Sequence, residues 1–371
     1  MRTVIVSDLH LGRVSGEDIA RDPVIRNVLL KEVAKADRIV LLGDIVDLFE
    51  LPLPMALGRA RPFFEELGQA MAGRPVVFVP GNHDYRLAEP LLERLKFEQR
   101  SLGLEQRAEP SGEAAERIGA WLGSAKLEIA YPGVWLRDDV YATHGHYLDC
   151  HRRFPRLECV AAAATMRVGG PLPDRPQPGD YERVLQPVYS LAFSLAQAGL
   201  AGRTIRPVAQ SWRRISNPGP ERRRGRIRRA TRGAGIPAGI WGLNRVLSAD
   251  FDADLSLSSI SRSAIVAATE LVQRLGVGTT HTITGHTHRG GPDEEEAEWV
   301  LPEGGRLHNT GSWVFSSGLC DHHNATLRHY WPGMLTWLDK SGPPRRTRLL
   351  RDGHDAELRA AVGRLLLAKP A

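Results

Sequence analysis

The chain has 371 residues, of which 42% are hydrophobic and 25% are charged, and its formal net charge is +6. These values are ordinary for a soluble protein with a real core, in one large domain or two smaller ones. No run of 18 apolar residues occurs, which excludes a membrane-spanning helix. Three cysteines (Cys150, Cys159 and Cys320) cannot form an even disulfide framework and fit a reducing compartment.

The first 150 residues alternate between strand and helix patterns. The apolar, β-prone runs TVIV, RIVLL and VVFV predict buried strands. Helical patterns cover residues 23–36, 61–71 and 87–97, the second with Pro62 near its first turn. This alternation predicts a layered α/β core. Because the first strand begins at about residue 2, we expect no secretory signal and a cytoplasmic protein.

The pattern changes after Cys150. Residues 150–269 show helical stretches at 159–167, 181–200 and 258–275, and we interpret them as an inserted helical cap. This segment has 19 arginines, no lysine and eight acidic residues, a formal charge of +11, whereas the rest of the chain carries −5. Its densest run is ERRRGRIRRATR at 221–232. Two interpretations stay open here, a solvated basic loop and a surface that binds polyanions.

The remainder of the chain returns to short strand patterns. Residues 304–314, 325–333 and 334–339 are rich in aromatic and β-branched side chains and predict an antiparallel second half of the sheet. Residues 354–367 predict a terminal helix.

Five short blocks of potential metal ligands follow five of the predicted strands. They read SDLHLG (7–12), GDIVD (43–47), GNHD (81–84), THGH (143–146) and GHTH (285–288). In open α/β sheets, ligands bind at the loops that follow the carboxyl ends of strands. Aspartate, histidine and asparagine from five such loops can surround two divalent ions, which predicts metal-assisted hydrolysis at phosphorus.

The order and content of these blocks resemble the calcineurin-like metallophosphoesterase family over roughly residues 1–150 and 270–350. The resemblance implies a four-layer αββα sandwich with a mainly helical inserted cap. Its expected parts are a core of residues 1–149 and 270–350, the Arg-rich cap of residues 150–269, and a tail helix within 351–371.

The resemblance also implies the residues of a two-metal site, in which Asp44 bridges the ions. The implied ligands of the first ion are Asp8, His10, Asp44 and His288, and those of the second are Asp44, Asn82, His144 and His286. We expect two divalent ions, Mn²⁺ foremost, with Fe, Zn, Ni and Co as alternatives.

Two further residues are implied to be catalytic. His83 would stabilise or protonate the leaving oxygen, and Asp84 would hold the ring of His83 in position. Arg13, His146 and Arg289 are candidate substrate contacts, although each could also be a structural or surface residue.

The place of the cap resembles that in UDP-2,3-diacylglucosamine pyrophosphatases, but those enzymes typically read GNRD where this chain reads GNHD. The expected activity is hydrolysis of a phosphodiester, phosphomonoester or pyrophosphate bond. The alternatives are a pyrophosphatase for UDP-linked lipid sugars at the membrane surface, a DNA exonuclease and a catalytically silent scaffold. We expect a phosphate-containing small molecule or lipid-linked substrate, with an anionic membrane as a second possible partner and nucleic acid ranked below both.

Overall fold

The computed structural model describes residues 1–201, 235–293, 296, 299–316, 320–321, 327–350 and 352–367. These residues contain ten β-strands. They are β1 (Thr3–Val6), β2 (Arg38–Leu41), β3 (Pro75–Phe78), β4 (Glu105–Ala108), β5 (Lys126–Arg137), β6 (Val140–Thr143), β7 (His281–Thr284), β8 (Arg306–Asn309), β9 (Met334–Leu338) and β10 (Arg345–Arg348).

The same residues contain nine α-helices. They are α1 (Pro23–Val33), α2 (Leu53–Ala70), α3 (Glu89–Phe97), α4 (Glu113–Leu122), α5 (Leu157–Gly169), α6 (Pro178–Gln197), α7 (Ile236–Leu247), α8 (Leu257–Arg274) and α9 (Asp355–Leu367). Asp22 shows how the sequence starts a helix, because its side chain accepts from the backbone N–H groups of Val24 and Ile25 just before Pro23.

The strands are connected in the order β10-β9-β1-β2-β3-β5-β6-β7-β8, and β4 pairs with β5. The long strand β5 joins two halves of the sheet. Its first part pairs in parallel with β3, and its second part pairs in antiparallel with β6. Strands β1, β2 and β3 are parallel, as are β6, β7 and β8, so these six strands present their carboxyl ends to the same loop region.

Three apolar clusters define four layers. Ile5, Val40 and Val77 of the first half of the sheet pack with Ala142 and Ile283 of the second half. The outer side of the first half carries α1, α2, α4 and α9, and that of the second half carries α3, α6 and α8. The structure is therefore the αββα sandwich that the resemblance implied.

The described part of residues 150–269 consists of helices and loops, in agreement with a helical insertion. Helix α8 continues to Arg274, so the insertion and the core share one helix and the boundary at 269 is not a break in the chain's structure. The basic run at 221–232 lies outside the described residues. No helix among the described residues is long and apolar enough to cross a lipid bilayer.

Three expectations about elements were wrong. Helix α2 begins at Leu53 and not at residue 61, because the buried stripe that includes Leu57, Phe63 and Leu67 continues through Pro62, which removes only one backbone hydrogen bond. Residues Leu327–Tyr330 form a 3-10 helix instead of a strand. Pro332, two residues beyond that segment, has no backbone N–H to donate to a neighbouring strand. The second half of the sheet is not purely antiparallel, because β6, β7 and β8 are parallel.

Candidate metal centre

The loops that follow five strands bring the seven implied metal ligands together. Asp8 follows β1, Asp44 follows β2, Asn82 follows β3, His144 follows β6 and His286 follows β7. Each of these five side chains is at most 6% exposed. The parallel pairing of the strands places all five loops at one edge of the sandwich, which explains how distant parts of the sequence meet.

Five of the ligand residues adopt a left-handed backbone. Their φ angles are 54° at Asp8, 48° at His10, 54° at Asp44, 65° at His286 and 60° at His288. Such a conformation costs a non-glycine residue on the order of 1–3 kcal/mol and persists only where the surrounding structure fixes it. Backbone hydrogen bonds between the first two loops supply that restraint, since Asp8 donates to the Gly43 carbonyl at 3.0 Å and His10 to the Asp44 carbonyl at 2.8 Å.

Close packing of the loops explains the glycine at position 81. A Cβ atom there would overlap the Asp44 carboxylate and the His144 ring. A side chain at this position would therefore separate two ligand loops.

Asp8, His10 and His288 form the first group of ligand atoms. Nδ1 of His10 donates a hydrogen bond to Oδ2 of Asp47 at 3.2 Å. The Nε2 atom of a neutral His10 ring then has a free lone pair. Nε2 of His10 lies 3.0 Å from Nε2 of His288, which in turn lies 3.3 Å from Oδ1 of Asp8. Oδ1 of Asp8 is buried and has no hydrogen-bond partner among the described residues.

Asp44, Asn82, His144 and His286 form the second group. Nδ1 of His144 donates to the Leu42 carbonyl at 2.9 Å, which directs its Nε2 towards Oδ2 of Asp44 at 3.3 Å. Nε2 of His286 donates to Oδ2 of Asp149 at 3.0 Å, which directs its Nδ1 towards Oδ1 of Asn82 at 3.0 Å.

The two groups share Oδ2 of Asp44. This oxygen lies 3.6 Å from Nε2 of His10 in the first group and 3.3 Å from Nε2 of His144 in the second. Imidazole nitrogens and carboxylate oxygens thus face one another at short distances, an arrangement that cations stabilise. The mixture of imidazole nitrogen and carboxylate oxygen fits two divalent transition-metal ions with Asp44 as the shared anionic ligand.

Asp47, the last residue of the GDIVD block, organises one side of the centre. Its Oδ2 lies 3.2 Å from Nδ1 of His10, 3.1 Å from Nδ1 of His83 and 3.3 Å from Nε of Arg13. Burial disfavours the charged His83 ring, but the carboxylates of Asp47 and Asp44 outweigh it and raise the pKa of His83 to about 9. The Asp47 carboxylate therefore favours the protonated form of His83.

Asp84 does not hold the His83 ring, contrary to the role implied by the resemblance. Its carboxylate accepts from the backbone N–H groups of Gly81 at 2.6 Å, Ile45 at 2.7 Å and Asp44 at 3.2 Å. Burial raises the pKa of Asp84 to about 7, while the backbone donors act in the opposite direction. Asp84 joins two ligand loops through their backbones, and Asp47 takes the position beside His83 because its side chain faces the centre.

Asp149 is a second residue whose role the sequence did not reveal. It accepts from His286 and fixes which nitrogen of that ring is free to bind an ion. Burial opposes ionisation, but the nearby His286 ring lowers the pKa of Asp149 to about 2. The only signal in the sequence was its place five residues after His144.

The three candidate substrate contacts occupy different surroundings. Arg13 lies beside Asp47 and is 13% exposed, so it borders the centre. Arg289 donates to Glu296 at 2.5 Å, and its guanidinium lies over the ring of Trp299. These contacts hold the side chain to neighbouring residues outside the metal centre. His146 is 1% exposed and packs 5.7 Å from the ring of His144.

Comparison with known proteins agrees with this geometry. Residues 1–163 match the model of a family described as calcineurin-like phosphoesterase. The match includes five of the seven ligands and ends before His286 and His288, whose place in the centre therefore rests on the structure.

Individual proteins match this chain over a shorter segment. Proteins from three strains of Shewanella baltica, each named UDP-2,3-diacylglucosamine hydrolase, are 33% identical to this chain over 92 residues. The matched segment is 24% of this chain and 35% of each relative. The likeness to these relatives thus spans about a third of their length.

Proposed function

We propose that this chain is a phosphoesterase that uses two divalent ions to hydrolyse a phosphodiester, phosphomonoester or pyrophosphate bond. The observation that carries the proposal is the position of Asp44 Oδ2 within 3.6 Å of both His10 and His144. One carboxylate oxygen between two sets of imidazole ligands is the feature required of a bridging ligand. The family match over residues 1–163 supports the same reaction class.

Asp8, His10, Asp44 and His288 would hold the first ion, and Asp44, Asn82, His144 and His286 the second. Bound there, the ions supply Lewis-acid activation of a phosphoryl group and of water. We propose Mn²⁺ as the native metal, with Fe, Zn, Ni and Co as alternatives, because the site combines oxygen and imidazole donors.

His83 supplies a proton or a positive charge to the leaving oxygen. Its ring is 17% exposed and lies beside the candidate ligand His10 at 4.6 Å between ring centroids, and Asp47 favours its protonated form. A general acid needs both the proton and access to the substrate. The positive His83 also stands where the UDP-2,3-diacylglucosamine pyrophosphatases typically have an arginine.

A second, narrower candidate is a pyrophosphatase for UDP-linked lipid sugars, acting in the cytoplasm at the membrane surface. Two observations favour it, the likeness to the Shewanella baltica hydrolases and the apolar surface of the inserted helices. Leu191 of α6 is 61% exposed, and Trp241 and Val246 of α7 are 67% and 70% exposed. Apolar side chains on a basic insertion suit contact with an anionic lipid surface.

The other two candidates have less support. A DNA exonuclease would need aromatic side chains for base stacking, and the chain has only 6% aromatic residues. A silent scaffold does not require a complete set of seven converging ligands.

A substrate panel with Mn²⁺ tests the proposal. It contains bis-p-nitrophenyl phosphate, p-nitrophenyl phosphate, cyclic nucleotides, UDP-sugars with and without acyl chains, and single-stranded DNA. We expect hydrolysis of at least one phosphate ester or pyrophosphate that disappears in Asp44→Asn. Preference for acylated over unacylated UDP-sugars would select the narrower candidate. No hydrolysis by the metal-loaded chain on the whole panel would contradict the proposal.

A further inference from the structure

A glutamate of the inserted helix α6 lies buried close to the second group of ligands. Glu182 is 5% exposed, and its Oε1 accepts hydrogen bonds from Tyr131 at 2.5 Å and from Tyr147. Its Oε2 accepts from Tyr85 at 2.6 Å. Burial raises the pKa of Glu182, and the three hydroxyl donors act in the opposite direction and favour the ionised form, which can only accept.

This direction of hydrogen bonding determines the proton on His146. Tyr131 has one hydroxyl proton, which it donates to Glu182, so its oxygen must accept from Nε2 of His146 at 3.2 Å. A second proton on a ring buried beside a cation-binding centre is unfavourable. Nε2 of His146 therefore carries the proton of the ring, and Nδ1 is the nitrogen left as an acceptor.

Nδ1 of His146 is buried and has no hydrogen-bond partner in the described part of the chain. The ring is surrounded by His144, His286, Asp44 and Asp149 of the metal centre and its support, and by the rings of Tyr131, Tyr147 and Tyr189. A buried acceptor without a donor costs about 1–3 kcal/mol. Such a cost inside a binding centre indicates that the donor arrives with a ligand.

We propose that His146 is a further binding residue of the centre, which accepts a hydrogen bond through Nδ1 from an O–H group that enters with the second ion or with the substrate. Among the described residues His146 joins none of the groups of potential ligand atoms within 4.8 Å of one another, so it acts as an acceptor rather than as an eighth metal ligand. Through Tyr131, Glu182 of the inserted helix sets which nitrogen accepts. The inference rests on the proposed function, because it concerns the same site.

Ring-nitrogen NMR of the full chain without metal tests the protonation of His146. With ¹⁵N-labelled histidine, we expect Nε2 protonated and Nδ1 bare in the wild type. Tyr131→Phe should relax this preference and give a mixture of both tautomers. A wild-type ring with its proton on Nδ1 overturns the inference. The spectrum needs no turnover, so a chain inactive on every substrate would contradict the proposed function and leave this result unaffected.

A matched pair of variants tests the acceptor itself. In His146→Asn the amide oxygen replaces Nδ1 and the contact with Tyr131 is lost, whereas in His146→Gln the amide nitrogen replaces Nε2 and the acceptor is lost. Replacement of a residue that supports a metal centre typically lowers metal affinity or activity about 10–100-fold.

If the donor enters with the ion, calorimetry with Mn²⁺ should show binding of the second ion at least about 10-fold weaker in the glutamine variant than in the asparagine variant. If the donor belongs to the substrate, Mn²⁺ affinity should be equal and KM for the best substrate of the panel should rise only in the glutamine variant. Equal Mn²⁺ affinity and equal KM in both folded variants overturn the proposal.

Discussion

Oδ2 of Asp47 lies 3.1 Å from Nδ1 of His83 and raises the affinity of that ring for a proton. In Asp47→Asn the pKa of His83 should fall from about 9 towards its ordinary value. If the protonated ring acts in turnover, the alkaline limb of the pH profile of kcat should move to lower pH by about one unit or more. The sign follows because activity is present below the His83 pKa and is lost as pH rises through it. An unchanged alkaline limb would show that another group determines it.

Replacement of His83 by Ala should lower turnover and leave the metal content nearly unchanged, because the ring supplies none of the seven ligands. The loss should be on the order of 10²–10⁴-fold for a poor leaving group and smaller for p-nitrophenolate, since protonation of the leaving oxygen then matters less. The measurement is kcat on two esters that differ only in the leaving group. Equal losses on both would remove the general-acid role and leave charge stabilisation.

Replacement of Glu182 by Ala should destabilise the protein, because Tyr85, Tyr131 and Tyr147 lose their acceptor in a buried place. We expect the free energy of unfolding to fall by about 3 kcal/mol in urea titration. Tyr85→Phe is the control, because it removes one donor and leaves the other two satisfied, and it should cost about 1 kcal/mol. A smaller loss in the alanine variant than in this control would show that the cluster does not hold α6 to the core.

Neutralisation of the basic run tests its proposed binding to an anionic membrane. The variant changes six arginines to glutamine, namely Arg222, Arg223, Arg224, Arg226, Arg228 and Arg229. We expect the wild type to sediment with anionic liposomes in low salt, less so in high salt, and the variant to remain largely in the supernatant. Equal sedimentation and equal turnover of both proteins would identify the run as a solvated loop. Salt-dependent binding to DNA instead would favour the nucleic-acid alternative.

The sequence predicted the fold and the convergence of the candidate ligands for a shared physical reason. Buried parallel strands are short runs of β-branched residues, and a ligand block directly after such a run lies at the carboxyl edge of the sheet wherever the strand sits in the order. The positions of Asp8, Asp44 and His286 could therefore be expected although up to 278 residues separate them, as in the hydrogen bond from the His286 backbone to Asp8.

The supporting residues could not be predicted in the same way. Whether Asp47 or Asp84 faces His83 depends on how two loops cross, and both aspartates stand at the end of a ligand block. Asp84 turns towards the backbone of residues 44–46, which leaves Asp47 beside the ring. The contact of Glu182 with Tyr131 joins residues 51 positions apart through a helix packing that no local pattern specifies.

The central claim is that Asp44 joins two metal ions in one centre. The most direct measurement is the metal content of the purified chain after dialysis against Mn²⁺, by elemental analysis, for the wild type, Asp44→Asn and the control Asp139→Asn. Asp139 forms an ion pair with Arg137 on the surface and is not one of the seven proposed ligands. We predict two ions per chain in the wild type and the control, a loss of both in Asp44→Asn, and the largest loss of activity of any single ligand variant. A wild type that holds one ion, or an Asp44→Asn chain that keeps two, would contradict the account.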